Sequence, residues 1–299
     1  MQHNLAQDIL PSVPMAAESE LVEFWNEVLA PKFVKYRHVL VGGLSRHSAA
    51  IMPSLGVNSG DHILDVGCGF GDTAIELANR VGPDGTVLGI DCCQAFIDRA
   101  WHCAEQSWTE NVRFATRDIE RGIKEDQFDF VFARFGTMFF ANPVAGLRAM
   151  RAALKPGGEL AHIVWRQRSD NPWLIAARDV VQSFLPVPGD DARTCGPGPF
   201  SMADEETTRA QMKAAGFSDI AFKRIDAKVM VGCTIEEAIA FQLAIGPAGE
   251  TFREAGPLAE EKRPEIEAAL AEMFADVETN EQGLWMDSSS WLITARSPE

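Results

Sequence analysis

Short apolar, β-prone runs alternate along this chain with stretches of helical period. The runs fall at 62–67, 86–91, 112–118, 128–135 and 159–165, with helical patterns between them. Such alternation predicts a parallel sheet covered by helices on both faces, an α/β doubly wound fold. The segment 155–158, Lys-Pro-Gly-Gly, is a turn signal before the fifth run. Two more β-prone runs follow at 220–230 and 291–296. Ahead of the first strand, Ser19 is placed to cap a helix carrying Leu21, Phe24, Trp25 and Val28 on one face, and a second helical pattern runs from Phe33 to Met52. Residues 1–18 read as a loose arm. Between 166 and 210 the pattern breaks into an irregular stretch rich in Pro and Gly, and 234–286 reads as an acidic helical insertion. The organisation expected is an arm with lid helices (1–55), a core (56–166), a loop over the cleft (167–216), and final strands carrying the helical cap (217–299).

The first strand runs into Asp65-Val66-Gly67-Cys68-Gly69-Phe70-Gly71, and a helical pattern from Thr73 follows. A strand, a glycine turn and a helix N-terminus bring backbone close to a nucleotide-like ligand. The second and third strands also end near carboxylates, Asp91 and Asp118, on the sheet edge where open α/β folds bind ligands. Asp91 is placed to accept hydrogen bonds from ribose hydroxyls. Two cofactors fit. Read as Gly69-x-Gly71-x-x-Ala74, the loop matches a dinucleotide fingerprint. Read from Asp65, it matches a loop for S-adenosylmethionine, whose ammonium Asp65 would attract and whose adenine amino group Asp118 can bind. The second reading is favoured because it gives both acids a task.

On these residues the chain resembles the class I S-adenosylmethionine-dependent methyltransferases, within them the ubiquinone/menaquinone-biosynthesis and bacterial small-molecule group. The stretches ILDVGCGFG, VLGIDCC, FATRDIE, FDFVFARFGTMFFANP, ALKPGGELAHIVWR and GPGPFSMAD carry the likeness over roughly residues 20–220, and WLITAR also fits. The resemblance implies a seven-stranded, mostly parallel sheet ending in an antiparallel pair. It implies that Gly67, Gly69, Gly71, Asp91 and Asp118 hold the cofactor, with Asp65 near its methionine end and Cys92 and Ile119 packing on its adenine. N-terminal helices in such enzymes fold over the cleft. Tyr36 is expected there, whereas Trp25 is expected to pack on the core.

Methyl transfer by in-line displacement needs an aligned, water-free site. Arg134, at the end of the fourth strand, is a candidate for the cofactor's carboxylate or for an acidic acceptor; the alternative is a surface salt bridge. Phe139 and Phe140 are candidate walls for an apolar acceptor or else core residues. Trp165, Trp173 and Phe200 add aromatic surface suited to a flat acceptor. His162 reads as a buried structural histidine, His38 and His47 lie on the N-terminal helices, and no general base or other catalytic residue is assigned. The Asp/Asn-Pro-Pro-aromatic motif of amino N-methylases is absent, as is the Pro-Cys nucleophile of cytosine C5 methylases.

Charge and composition narrow the partners. A net charge of −16 over 299 residues opposes binding to nucleic acid. A 46% apolar composition fits a packed globular chain, and no run has the length to span a bilayer. Six cysteines without regular spacing fit reduced thiols, and no signal peptide is evident, so a cytoplasmic location is expected. No paired Cys or His spacing points to a metal. The function expected is methyl transfer from S-adenosylmethionine to a small apolar or aromatic acceptor at oxygen, carbon or nitrogen. A nicotinamide-dependent oxidoreductase and a non-catalytic, partner-binding protein of the same fold are the alternatives. The acceptor, the pathway and the oligomeric state are not legible.

Overall fold

The computed structural model describes residues 19–123, 127–189 and 192–299; the expected arm at 1–18 lies outside the described residues. Parallel strands β1 (His62–Val66), β2 (Thr86–Asp91), β3 (Val112–Thr116), β4 (Phe128–Arg134) and β5 (Leu154–Trp165) form the sheet with β6 (Ser218–Gly232) and β8 (Gly283–Arg296). Their order is β3-β2-β1-β4-β5-β8-β6, and a three-residue strand, β7 (Glu278–Asn280), pairs with β8. β8 lies antiparallel between β5 and β6. Ile63, Leu64 and Val131 in the central strands are fully buried, which is why these runs read as apolar.

Helices α4 (Asp72–Val81), α5 (Gln94–Gln106) and α6 (Pro143–Ala153) are the crossovers. Before the sheet come α1 (Glu20–Phe24), capped by Ser19, a π-helical turn at Trp25–Leu29, then α2 (Ala30–Lys35) and α3 (Arg37–Ile51). The expected continuous helix from Phe33 to Met52 is therefore broken at Tyr36, whose ψ of 22° leaves the helical range. At 155–158 the chain bulges within β5: Phe128 pairs with Leu154 but Phe130 pairs with Glu159, and the turn residues loop out between them.

The irregular stretch holds more order than its prolines imply. α7 (Pro172–Gln182) lies inside it, and Pro172 is its first residue, where a missing N–H costs nothing. α8 (Glu205–Ala214) follows. The insertion consists of α9 (Ile235–Ala244), α10 (Gly246–Glu254) and α11 (Pro257–Ala275), so helix stops at 275 and strand occupies the remainder. Gln182 Nε2 donates to Thr251 Oγ1 at 3.3 Å, and Gly246 approaches Leu174, so α10 is seated on α7.

Asn171 fixes the turn that leads into α7. Its buried Nδ2 donates to the carbonyls of Arg166, Gln167 and Ser289, and its Oδ1 accepts from Ser289 N–H at 3.1 Å. Asn171→Ala removes all of these bonds, leaving the Ser289 N–H and the Arg166 carbonyl without their Asn171 partner while the Ser289 and Gln167 carbonyls keep Arg166 N–H and Asp170 N–H, and is expected to lower unfolding stability by about 3 kcal/mol, read by chemical denaturation. A loss under about 0.5 kcal/mol would show that the turn does not depend on this amide.

Candidate functional site

At the C-terminal edge of the sheet, β1 has neighbours β2 and β4, so chain connections leave it in opposite directions and open a crevice. The glycine loop lies there. Gly71 takes φ +81° ahead of α4, and a Cβ on it would come within 2.8 Å of both Ala100 and Phe114, so no other residue fits without displacing the core. Gly69 takes φ +53°, and a Cβ there would meet nothing within 4 Å.

Asp91 ties this loop to the end of β2. Its Oδ2 accepts from Gly69 N–H and its Oδ1 from Cys93 N–H, both at 3.0 Å. Burial raises its proton affinity while these N–H groups hold the carboxylate form. Asp118 accepts from Glu120 N–H at 2.9 Å, starting the short turn Ile119–Arg121. Gly67, Gly69, Asp91, Cys92, Asp118 and Ile119 all line one cavity of about 290 Å³. Gly71 and Asp65 do not line it. Asp65 is fully buried behind the loop, where Oδ2 accepts from Thr73 Oγ1 at 2.8 Å and Oδ1 has no partner. Desolvation pushes its pKa up to about 7. Its expected place beside the methionine end thus becomes a place one layer deeper, since its strand position turns the side chain inward and Thr73 stands on the wall.

Arg134 lines the cavity, but its ion pair is not a surface one. Nη2 donates to Asp72 Oδ2 at 2.6 Å and Nη1 to Ser48 Oγ at 3.0 Å, joining the start of α4 to α3. Phe135 follows at φ +55°, its ring stacked on Trp165 with 3.9 Å between centroids. Trp173 lies edge-on to Trp165 at 5.1 Å. Phe139 and Phe140 are on the wall, and Trp25 meets Phe139 at 5.1 Å.

Three aromatic expectations change. Tyr36 packs on Phe241 at 5.5 Å and is not on the wall, because the break between α2 and α3 turns it into the core. Trp25, expected in the core, lines the cavity from the π-helical turn. Phe200 also leaves the site: it faces an outer groove under Arg168, while its neighbour Pro199 reaches the cavity. Phe135 was not singled out by the sequence; its left-handed backbone has no residue-type signal. Over the opening, Asn26 of the lid donates to the Cys92 carbonyl at 3.2 Å and accepts from Gln94 N–H at 3.3 Å.

The cavity wall holds no histidine among the described residues. His47 is buried between Ser288 and Ser290, and desolvation pushes its pKa down to about 4. His162 is buried against Thr137, its pKa pushed down to about 3. His38 pairs with Glu237 at 2.7 Å on the exterior, with Cys233 close by. The other trio of metal-ligand type is Asp91, Cys92 and Cys93, whose carboxylate is already engaged by backbone N–H groups.

A family model for a methyltransferase domain matches residues 57–183. The ubiquinone/menaquinone biosynthesis C-methyltransferase UbiE of Ectopseudomonas mendocina is 30% identical over 224 residues, covering 70% of this chain and 86% of that protein. Its counterpart in Azotobacter vinelandii is 28% identical, covering 71% and 87%. Among solved structures, YcgJ from Bacillus subtilis superposes with a TM-score of 0.55 at 16% identity, covering 85% of this chain and 99% of that one. Phosphoethanolamine N-methyltransferase 2 of Haemonchus contortus, in complex with S-adenosyl-L-methionine, gives 0.57 at 16% identity, covering 95% and 61%. The chain belongs to the S-adenosylmethionine-dependent methyltransferases, and S-adenosylmethionine is its cofactor. The residues present fit that group: Gly69 leaves open space over the loop, and acids from two strand ends face the cavity.

Asp65 carries a pH signature. Its folded pKa, about 7, lies above the ordinary carboxylate value, so the native state holds a proton that the unfolded chain has released. Its contribution is full below about pH 4 and is lost as pH rises towards 7. Asp65→Asn is therefore expected to gain stability relative to wild type across that window, by about 3–4 kcal/mol at pH 8 compared with pH 4, measured by denaturant unfolding at each pH. A difference between the two proteins that does not change with pH would contradict a protonated Asp65.

Proposed function

We propose that this methyltransferase acts on a small organic acceptor that is apolar or aromatic over most of its surface. The observation that carries the reading is the lining of the cavity beyond the glycine loop, where Trp25, Phe139, Phe140, Trp165, Trp173 and Phe241 face one another. A wall of this kind offers burial to a ring or an alkyl chain and little solvation to a charged peptide or nucleotide. The net charge of −16 argues in the same direction against nucleic acid.

S-adenosylmethionine, when bound, supplies a sulfonium methyl group open to in-line displacement. Gly67, Gly69, Asp91, Cys92, Asp118 and Ile119 would hold it, leaving the end of β4 with Arg134 and Phe135 for the reacting side. The protein aligns and excludes water. Asn26 latches the lid to 92–94, and Arg134 braces α3 against α4, so the lid closes over a site already shaped. No histidine faces the cavity among the described residues, which suits an acceptor that arrives electron-rich, as a phenolate, enolate or neutral amine. Oxygen, carbon and nitrogen are all within this reading. The named C-methyltransferase relatives make a quinol-type ring one specific acceptor to try. A cytoplasmic site of action belongs to the same reading; among the described residues, no helix is long and apolar enough to cross a membrane. Neither a nicotinamide-dependent reaction nor a non-catalytic role gains support from the relatives.

Release of S-adenosylhomocysteine should appear with members of a panel of phenols, quinols and aryl amines. For the best of them, Phe139→Ala is expected to raise the acceptor KM about tenfold and to leave the cofactor KM within about twofold. Turnover with none of the three classes, or an equal effect on both KM values, would count against an aromatic acceptor wall.

A further inference from the structure

Within the apolar half of the cavity, the few polar side chains are accounted for one by one. Gln242 spends its Nε2 on the Trp173 carbonyl at 2.9 Å. Arg253 pairs with Glu254, donates to the Arg193 carbonyl and lies over Phe24. Cys195 is a buried thiol, its pKa pushed up to about 12 by burial first and by Glu250 second. Two groups here lack a partner among the described residues, the buried indole Nε1 of Trp173 and the carboxyl of Glu250, and of the two Glu250 alone can carry charge. It lies on α10 and lines the cavity, yet among the described residues its carboxyl makes no hydrogen bond and no ion pair. A half-buried carboxylate without a protein donor is free to accept from a ligand, and its apolar surroundings weaken the competition from water.

We propose that Glu250 recognises an O–H or N–H group on the methyl acceptor and thereby selects apolar ring compounds that carry such a donor. The inference rests on the apolar-acceptor reading above and adds to it a polar specificity determinant in the cap. Three features support it. The cap helix is fixed on α7 by Gln182–Thr251 and by the close approach of Gly246 to Leu174, so the carboxyl is presented from a rigid element. The adjacent positive charge, Arg253, already has its own partners, so the carboxyl is left for a ligand. Burial raises the proton affinity of Glu250, the nearby Arg253 opposes the rise and Glu254 adds to it, so a donor from a ligand would stabilise the carboxylate form. Glu250 is assigned to recognition, not to the transfer step.

The test uses the full chain saturated with S-adenosylhomocysteine and reads quenching of tryptophan emission, because Trp25, Trp165 and Trp173 line the cavity. The probes are 2-naphthol, 2-(aminomethyl)naphthalene and 2-methoxynaphthalene, equal in their ring and different in the donor. At least one donor probe is expected to bind about tenfold more tightly than the ether. Preference for the naphthol identifies a hydroxyl-bearing acceptor, and preference for the amine an ammonium-bearing one. Glu250→Leu and Glu250→Ala should both abolish the difference while calorimetric binding of S-adenosylhomocysteine stays unchanged; having two variants guards against a folding defect in either. Equal binding of donor and ether probes to wild type, or a preference that survives in both variants, overturns the role of Glu250 alone. Binding of none of the three probes to the loaded enzyme overturns the apolar-acceptor reading together with it.

Discussion

The hydrogen bonds of Asp91 to Gly69 N–H and Cys93 N–H are the tie on which the site depends. They join the loop after β1 to the loop after β2, at the one edge where all the parallel strands end. Parallel topology makes this meeting possible: every right-handed crossover returns the chain to the same side, so successive strand ends, and the acids they carry, accumulate there. Gly71 lets α4 start close against α5, and the Gly67 and Cys68 N–H groups bond the Ile90 carbonyl, so the loop is held along the end of β2 at several points. A partly buried carboxylate engaged by two backbone donors is rigid, which is what a cofactor cradle requires.

The remainder of the chain extends that loop into a two-part cavity. The lid contributes Trp25 and Phe33, the turn after β4 contributes Phe135 and Phe139, and the cap contributes Phe241 and Glu250. The lid touches the glycine-loop side through Asn26 and the aromatic side through Trp25, one residue earlier, where the helix widens to the π form. Gly196, at φ +100°, allows the irregular loop to approach the Phe139 carbonyl and close the site further. One end is thus polar and built from backbone and acids, and the other is aromatic and carries the Glu250 carboxyl, which has no hydrogen-bond partner among the described residues.

The glycine-loop half of the cavity was legible in the sequence because its signals are local. Strand, glycine turn and helix are contiguous, and Asp91 and Asp118 each sit at the end of a run whose length identifies a strand. The aromatic half was less legible because it depends on which way a helix faces. Trp25 and Tyr36 both sit in helical patterns, and a break at Tyr36 and a π-turn at Trp25 reverse which of them meets the cavity. Pro172 reads as a breaker but opens α7, since its ring suits a first helical turn, and the buried Asn171 that organises this corner makes two of its bonds to Ser289 of β8, far away in sequence. Phe135 and Glu250 gain their meaning only from neighbours brought by β5 and by α10. Asp65 shows the limit of motif reading: the motif names the residue, and strand alternation decides that its carboxyl lies behind the wall.

The central claim is that one end of this cavity is shaped for S-adenosylmethionine and not for a dinucleotide. Calorimetric titration of the purified chain with S-adenosylhomocysteine, with NAD as the control ligand, tests it most directly. The account predicts one-to-one, micromolar-range binding of the former and no heat from the latter. Saturable binding of NAD, or the absence of any S-adenosylhomocysteine binding, would contradict it.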